Sequence, residues 1–303
     1  MPEIRVRSYA WLLHHRKPPH GTYIFTDRER MDQWELRVFG QLYNHLNSAG
    51  PGYRVLNHPA RVMGRYQLLR KLYQEGINSF NAWLVSEGRM PDRYPVFIRR
   101  SFDHHQPLTD LLHNEKELQQ ALETLHVKQE PDEGLIIIEY CAEPASNDLF
   151  RKLAAFRIGD SILFFHTVHE KNWLVKYGSL NSATDELYQD EYEMIQNNKY
   201  KDELRRVFDI ANVDYGRVDF GLVNGKIQIY EINTNPDIRP PGKKHPNPIR
   251  TKSVNLAFQK YAAALRAVDT PGSDSPYATK FHQPEWVLNR FDQFRFHTLI
   301  RRK

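Results

Sequence analysis

The chain has 303 residues, 40% hydrophobic and 26% charged, and 42 Lys and Arg against 37 Asp and Glu give a net charge of +5. That is long enough for a substantial core and two or three substructures, too mixed for disorder, and too weakly basic for charge alone to argue nucleic-acid binding. The single cysteine, Cys141, excludes an internal disulfide and a Cys-based zinc site, and the fourteen histidines show no HExxH spacing.

The first fifteen residues, interrupted by charge, do not read as a secretory signal. The longest apolar runs, at 135–138 and 162–165, are far too short to span a bilayer, so the expected compartment is the cytoplasm. Residues 22–26 predict a strand. Trp34, Val38, Leu42 and Leu46, at fourfold spacing, predict an amphipathic helix over 32–48. Gly50-Pro51-Gly52 ends it, and 53–56 supplies a second strand, so this part reads as a parallel β-α-β unit. It contains no GxGxxG and gives no support to a dinucleotide fingerprint. Val62, Tyr66, Leu69 and Tyr73 predict a helix over 60–75, closed by Gly76.

Residues 94–99 (YPVFIR) predict a strand delivering two arginines at its end. Asn114 with Glu117 is a capping-box signature opening a helix that carries Leu118, Leu122 and Leu125. The run 135–140 (LIIIEY) predicts a continuous apolar strand ending in an acid and an aromatic. Residues 150–158 and 161–166 predict a hairpin around Gly159-Asp160. Helices follow at 185–196 and 200–211, with another at 254–268 before a linker and a basic tail. Residues 239–252 hold five Lys or Arg, four Pro and no acid.

The stretch with the most chemistry is 215–236, YGRVDFGLVNGKIQIYEINTNP. Val218, Phe220 and Leu222 alternate on one run and Ile227 and Ile229 on the next, with Asn224-Gly225 between, which predicts a hairpin. A two-residue turn pairs Val223 with Lys226 and puts Asp219 and Glu231 on opposite faces. A three-residue loop pairs Leu222 with Lys226 and Arg217 with Glu231, and brings Arg217, Asp219, Glu231 and Asn233 to one face. Three oxygen ligands beside a guanidinium suit Mg²⁺ carrying phosphate oxygens. The plainer reading is a half-exposed hairpin with a charged outer face, although Glu231 continues an inward aliphatic row, where a bare carboxylate is costly.

These landmarks resemble the ATP-grasp superfamily, of the glutathione synthetase and D-alanine–D-alanine ligase type, whose signature of R-x-D followed by E-x-N-x-x-P matches Arg217-Val218-Asp219 and Glu231-Ile232-Asn233 to Pro236. The resemblance implies an α/β and α+β fold with ATP held between two halves. It implies a small N-terminal β-α-β domain over 1–60, an ATP-grasp domain over 61–268 with a lid at about 78–140, and a linker and tail over 269–303. It further implies Asp219, Glu231 and Asn233 as Mg²⁺ ligands and Arg217 facing the transferring phosphate and the acyl group. Arg65, Arg99 and Lys152 would lie at the phosphates, with Arg in two positions where the family has Lys. Glu139 and Tyr140 would lie at the adenine and Glu143 at the ribose. The lid loop, residues 101–106 (SFDHHQ), lacks the family's glycines, which leaves His104 or His105 to take up part of the phosphate contact or to be plain solvent-facing residues.

Trp173 and Lys176 fall in the segment that lines the substrate side in relatives, and read equally as a core aromatic and a surface lysine. The loop 239–252 either borders an acceptor pocket for an anionic substrate or is solvated. The activity implied is an ATP- and Mg-dependent ligase that makes an acyl phosphate of a small-molecule or peptide carboxylate for attack by an amine or other nucleophile. The alternatives are a kinase of the same fold, or an inactive nucleotide- or nucleic-acid-binding relative using Arg250 and the tail Arg301-Arg302-Lys303.

Overall fold

The computed structural model describes residues 4–15, 17–103, 105–146, 148–176, 178, 182–238, 245–270 and 287. After α1 (Tyr9–His14), β1 (Gly21–Ile24) pairs in parallel with β2 (Tyr53–Leu56), and α2 (Gln33–Asn47) makes the crossover. The helix starts where its chemistry dictates: Asp32 accepts from the Glu35 amide at 2.7 Å and Glu35 returns the bond at 3.0 Å. Trp34, Val38, Leu42 and Leu46 form the buried stripe, together with Phe39, and pack with Leu12, Leu13 and Phe25. α3 (Arg65–Gln74) begins five residues later than its apolar period suggested. Residues 58–62 instead form a turn on the His58 carbonyl, and Gly64 is the N-cap. Gly76 closes α3 at φ 68° as expected.

A three-stranded antiparallel sheet follows, ordered β3 (Ala82–Leu84), β5 (Leu135–Glu139), β4 (Val96–Arg100). Its central strand is buried on both faces. Leu135 and Ile137 meet Leu118 and Leu125 of α4 (Glu115–Val127), while Ile136 and Ile138 meet Phe80 and the Leu69 side of α3. Double coverage is why LIIIE carries no alternation. Asn114 caps α4 by accepting from the Glu117 amide at 3.0 Å.

The larger sheet is built on β7 (Leu149–Ile158). It pairs with β8 (Ser161–Glu170) on one side and β9 (Tyr215–Val223) on the other, and its start pairs with β6 (Pro144–Ser146). β10 (Lys226–Asn233) is the edge beyond β9. α5 (Asp185–Asn197), α6 (Lys201–Ala211) and α7 (Pro248–Val268) complete the largest core, where Phe156, Phe208, Phe220 and Tyr261 are at most 1% exposed. α7 starts six residues before its apolar period because Asn247 accepts from the Ile249 and Arg250 amides. β3, β6 and α1 have no counterpart among the expected elements. They are three to six residues long, too short to display a period.

The hairpin settles its register in a way that corrects the three-residue loop. The turn has two residues, Asn224 at φ 50° and Gly225 at φ 72°, and Val223 pairs with Lys226. Further along, Phe220 pairs with Ile229 but Asp219 pairs with Glu231, so Tyr230 is the extra residue of a β-bulge. The bulge changes the parity, placing Asn233 opposite Arg217 and bringing all four polar residues to one face after all.

Two asparagines fasten the larger sheet to its neighbours. Asn57, 1% exposed, donates to the carbonyls of Phe25 and Tyr215 at 3.0 and 2.7 Å and accepts from the amides of Asp214 and Tyr215. Asn78, 2% exposed, does the same across β10, donating to the Ile229 carbonyl at 2.9 Å and accepting from its amide at 2.8 Å. Among the described residues, no helix is long and apolar enough to cross a membrane.

Candidate functional site

The site grows from the bulge. Directly opposite residues of an antiparallel pair put their side chains on one face about 5 Å apart at Cβ, so Asp219 and Glu231 share one point of the sheet. Asp219 is 2% exposed and is met by three cationic nitrogens of two side chains. Arg217 donates from Nε at 2.7 Å and from its terminal nitrogen at 3.2 Å, and Lys152 Nζ lies 3.2 Å away. Burial works against the Arg217 charge, but Asp219, with Glu231 and Asp237, more than offsets it and holds the guanidinium above its ordinary value. Glu231 is ion-paired to Arg65. Asn233 offers an amide oxygen that already accepts from the Asn235 amide at 2.8 Å.

Whether these groups fit Mg²⁺ is a question of donors. Two carboxylates and an amide oxygen on one face match a hard cation that takes one or two carboxylates and leaves places for water or phosphate. Among the described residues, no cluster of three or more His, Cys, Asp or Glu offers a competing metal site.

The fit to phosphates is argued by the cations. Arg65, at the start of α3, and Arg99, on β4, lie close enough for their charges to act on each other. Burial and the neighbouring Arg65 push Arg99 down to about 10, with Glu231 and Asp103 opposing. The Nε atoms of both arginines are buried without a hydrogen-bond partner. Two crowded guanidiniums with unused donors call for more negative charge than the protein supplies. The loop after β4 presents carbonyls to them: Arg65 donates to the Asp103 and Arg100 carbonyls at 2.6 and 3.1 Å, and Arg99 to those of Asp103 and His105 at 3.4 and 3.3 Å. His105 turns its exposed ring to the Asp103 carboxylate at 3.0 Å, and His104 lies outside the described residues.

Beside the carboxylates opens a cavity of about 130 Å³, walled by Leu69, Phe97, Ile138, Tyr140 and Trp173 and floored by Lys152, Asp219 and Glu231. Its apolar end suits a flat heterocycle and its charged end a polyphosphate. Trp173 packs on Phe97 and edge-on to Tyr140 at 5.1 and 5.6 Å, so it is a cavity wall rather than general core. Lys176 instead receives its place from its backbone, whose amide donates to Glu170 at 3.1 Å. Glu139 borders the cavity, but its carboxylate is committed to Arg93 at 2.7 Å and to the Asn81 amide at 2.9 Å. The Tyr140 amide is engaged with the Pro95 carbonyl. Glu143 accepts from the Asn224 amide at the hairpin tip at 3.0 Å and is not part of the cavity wall. Burial pushes the Cys141 thiol up, away from nucleophilic use.

Sequence reasoning missed three groups here. Arg93 had no visible partner, since Glu139 is 46 residues away. His166 stands in one cross-strand row with Ala154 and Asp219, and burial, with Arg217, Arg250 and Lys152 nearby, holds its imidazole neutral. Arg250 is the third. Taken as part of a solvated or nucleic-acid-contacting loop, it is instead drawn inward to pair with the fully buried Glu191. Residues 239–244 and the tail 301–303 lie outside the described residues.

No protein-family model and no curated protein matches this chain. Among solved structures it is similar to the D-alanine–D-alanine ligase of Bacillus anthracis complexed with ATP, at 15% identity and a TM-score of 0.43, over 76% of this chain and 75% of that one. It is similar to the corresponding ligase of Coxiella burnetii at 16% identity and TM-score 0.41, over 78% and 67%. A third is the ATP-grasp ligase PsnB with minimal precursor, Mg and ADP, at 13% and 0.42, over 74% and 68%. At that likeness they bear on neither reaction nor substrate.

Proposed function

We propose that the protein is an ATP- and Mg²⁺-dependent ligase that activates a carboxylate as an acyl phosphate for attack by an amine or another nucleophile. The observation that carries this reading is the Tyr230 bulge, which seats Glu231 opposite Asp219 on a face ringed by Arg217, Lys152, Arg65 and Arg99 and beside an aromatic cavity. A purely structural hairpin has no use for a parity change that gathers two carboxylates at a cleft.

In this reading Asp219, Glu231 and Asn233 would hold Mg²⁺, which would supply charge neutralisation for the transferring phosphoryl group. Before ligands arrive, Arg217 and Lys152 neutralise Asp219 while Arg65 neutralises Glu231. Those same cations are then at hand to receive phosphate oxygens, so exchange of partners leaves no buried charge bare. Arg99 contributes unused donors from β4, and Arg217 faces the acyl group. Phe97, Tyr140 and Trp173 enclose the base, and the charge on both sides excludes a purely hydrophobic ligand. Residues 1–60 form the small N-terminal β-α-β domain and 61–268 the nucleotide-binding body with its lid at about 78–140.

The test is ATP consumption with pooled carboxylates in the presence of hydroxylamine. Formation of ADP together with a hydroxamate is the expected result, because only an acyl phosphate is trapped in this way. A stable phosphorylated product without hydroxamate makes the protein a kinase. No ATP consumption with any acid or amine defeats the reading.

A further inference from the structure

A second cavity, of about 250 Å³, lies behind Arg65, between the segment after β1, the start of α3 and the loop after β4. Arg28, Met31, Gly64, Phe102, Ile232 and Thr234 are among its walls. Ile232 and Thr234 flank the ligand residue Asn233, and Arg65 belongs both to this wall and, through Glu231, to the carboxylate face, so the two spaces share a partition.

Three features of this cavity ask for an anion. The Arg28 guanidinium makes no hydrogen bond or ion pair among the described residues, and its Nε is buried without a partner. Burial pushes its pKa down, and the adjacent Glu29 only partly opposes this. Thr234 is 4% exposed, lines the cavity, and its hydroxyl also has no partner. The first turn of α3 has no acidic residue, its N-cap Gly64 has no side chain to answer the following amides, and Gln67 accepts only from the Gly64 amide at 3.3 Å; an added Cβ on Gly64 would lie 3.0 Å from an Arg28 terminal nitrogen. The cation therefore rests against the positive end of a helix, an arrangement favourable only when a negative group lies between or beside them. Asp103, the other nearby acid, is answered by Arg100 at 3.6 Å and His105 at 3.0 Å.

We propose that this cavity receives an oxyanion of the substrate other than the carboxylate that is activated, held by Arg28, the Thr234 hydroxyl and the α3 amides. The enzyme thereby selects an acid bearing a second anionic group, a carboxylate or a phosphate-type group. This rests on the carboxylate-activating reading above for its link to a reaction, but the anion site stands on its own residues.

The test is calorimetric binding of dicarboxylates from malonate to adipate, of 3-phosphonopropionate, and of butyrate as the monoanionic control. Wild-type protein is compared with Arg28→Met, Arg28→Lys and Thr234→Val, each checked for folding by circular dichroism. At least one dianion should bind the wild type tenfold or more tightly than butyrate. Arg28→Met should erase that preference, Arg28→Lys retain part of it, and Thr234→Val weaken it severalfold. The relative strength of the carboxylate and phosphonate arms identifies the second group. If Arg28→Met does not fold, Arg28→Lys and Thr234→Val carry the decision. Dianions no better than butyrate, or a folded variant set that binds as the wild type does, overturn the proposal. Mg·ATP is titrated separately into wild-type protein: its failure to bind beside a discriminating anion site defeats the nucleotide reading alone, and the reverse pattern defeats this one alone.

Discussion

At the scale of single residues, the two carboxylates are not equivalent. Glu231 keeps its hydrogen-bonding shape on replacement by Gln but leaves Arg65 without its carboxylate, so Glu231→Gln should lower ATP turnover on the order of 10²-fold or more and cost less stability than the loss of Asp219, because Glu231 is itself partly exposed and answers one cation. Asp219 is 2% exposed and neutralises both Arg217 and Lys152. Asp219→Asn therefore leaves two half-buried cations without the carboxylate they share and should cost about 3 kcal/mol of stability as well as turnover. Urea unfolding beside an ADP-release assay separates the two effects; equal stability loss in both variants contradicts the geometry. His169 makes a second prediction. Burial lowers it to about 4, with Arg151 and Arg250 adding to the effect, and its Nε2 has no partner. The unfolded chain binds this proton near pH 6.5 and the folded one only near pH 4, so stability falls as pH drops through that window. The loss is about 2 kcal/mol between pH 7 and pH 5. His169→Gln should flatten that acid limb in denaturant titrations at the two pH values.

At the scale of elements, the hairpin shows what a sequence can and cannot disclose. Alternation marked Asp219 and Glu231 as exceptions, and the Asn-Gly pair marked the turn, because both signals are local. Parity is not local: one inserted residue inverts every side chain beyond it, and Tyr230 looks like any strand aromatic. Its one sequence trace is Gly221 on the facing strand, where an added Cβ would collide with the Tyr230 hydroxyl. That hydroxyl donates to the Cys141 carbonyl at 3.1 Å, joining the bulge to the chain leaving β5. Gly221→Ala should thus displace Tyr230, cost about 1–3 kcal/mol by overpacking, and weaken nucleotide binding by shifting Glu231. Unfolding midpoints and titration with a fluorescent ATP analogue read the two consequences. The partner of Glu143 was hidden for a related reason, since the Asn224 amide is 81 residues away. Arg28 sits just past a four-residue strand with no flanking pattern to single it out.

At the scale of the whole molecule, the order of the longer helices and strands was legible because apolar periodicity is written along each element. The fastenings between units were not, because a buried asparagine in a loop has no period. Asn57 and Asn78 nevertheless decide how forces pass through the protein. Asn57 satisfies four backbone groups, one just past β1 and three at the start of β9, so Asn57→Ala should cost about 3 kcal/mol or more of global stability through unsatisfied buried groups. Asn78 stands between α3 and β3, where the chain enters the small sheet that carries Arg99, and it grips Ile229, two residues before Glu231. Its loss loosens that sheet from the strand bearing the carboxylates, leaving the Ser79–Gln228 and Tyr230–Cys141 bonds to hold it, while both cores stay packed. Bound Mg·ATP contacts both sides of the cleft in the proposed site, so it must then supply the alignment that Asn78 provides in advance. Asn78→Ala should weaken Mg·ATP binding about tenfold, equivalent to about 1.4 kcal/mol. It should also speed amide exchange in β3 and β5 in the free protein, with exchange slowing again when Mg·ATP is added. Exchange that rises evenly across all strands would show Asn78 to be a general stability contact and not the tether between the two walls of the site.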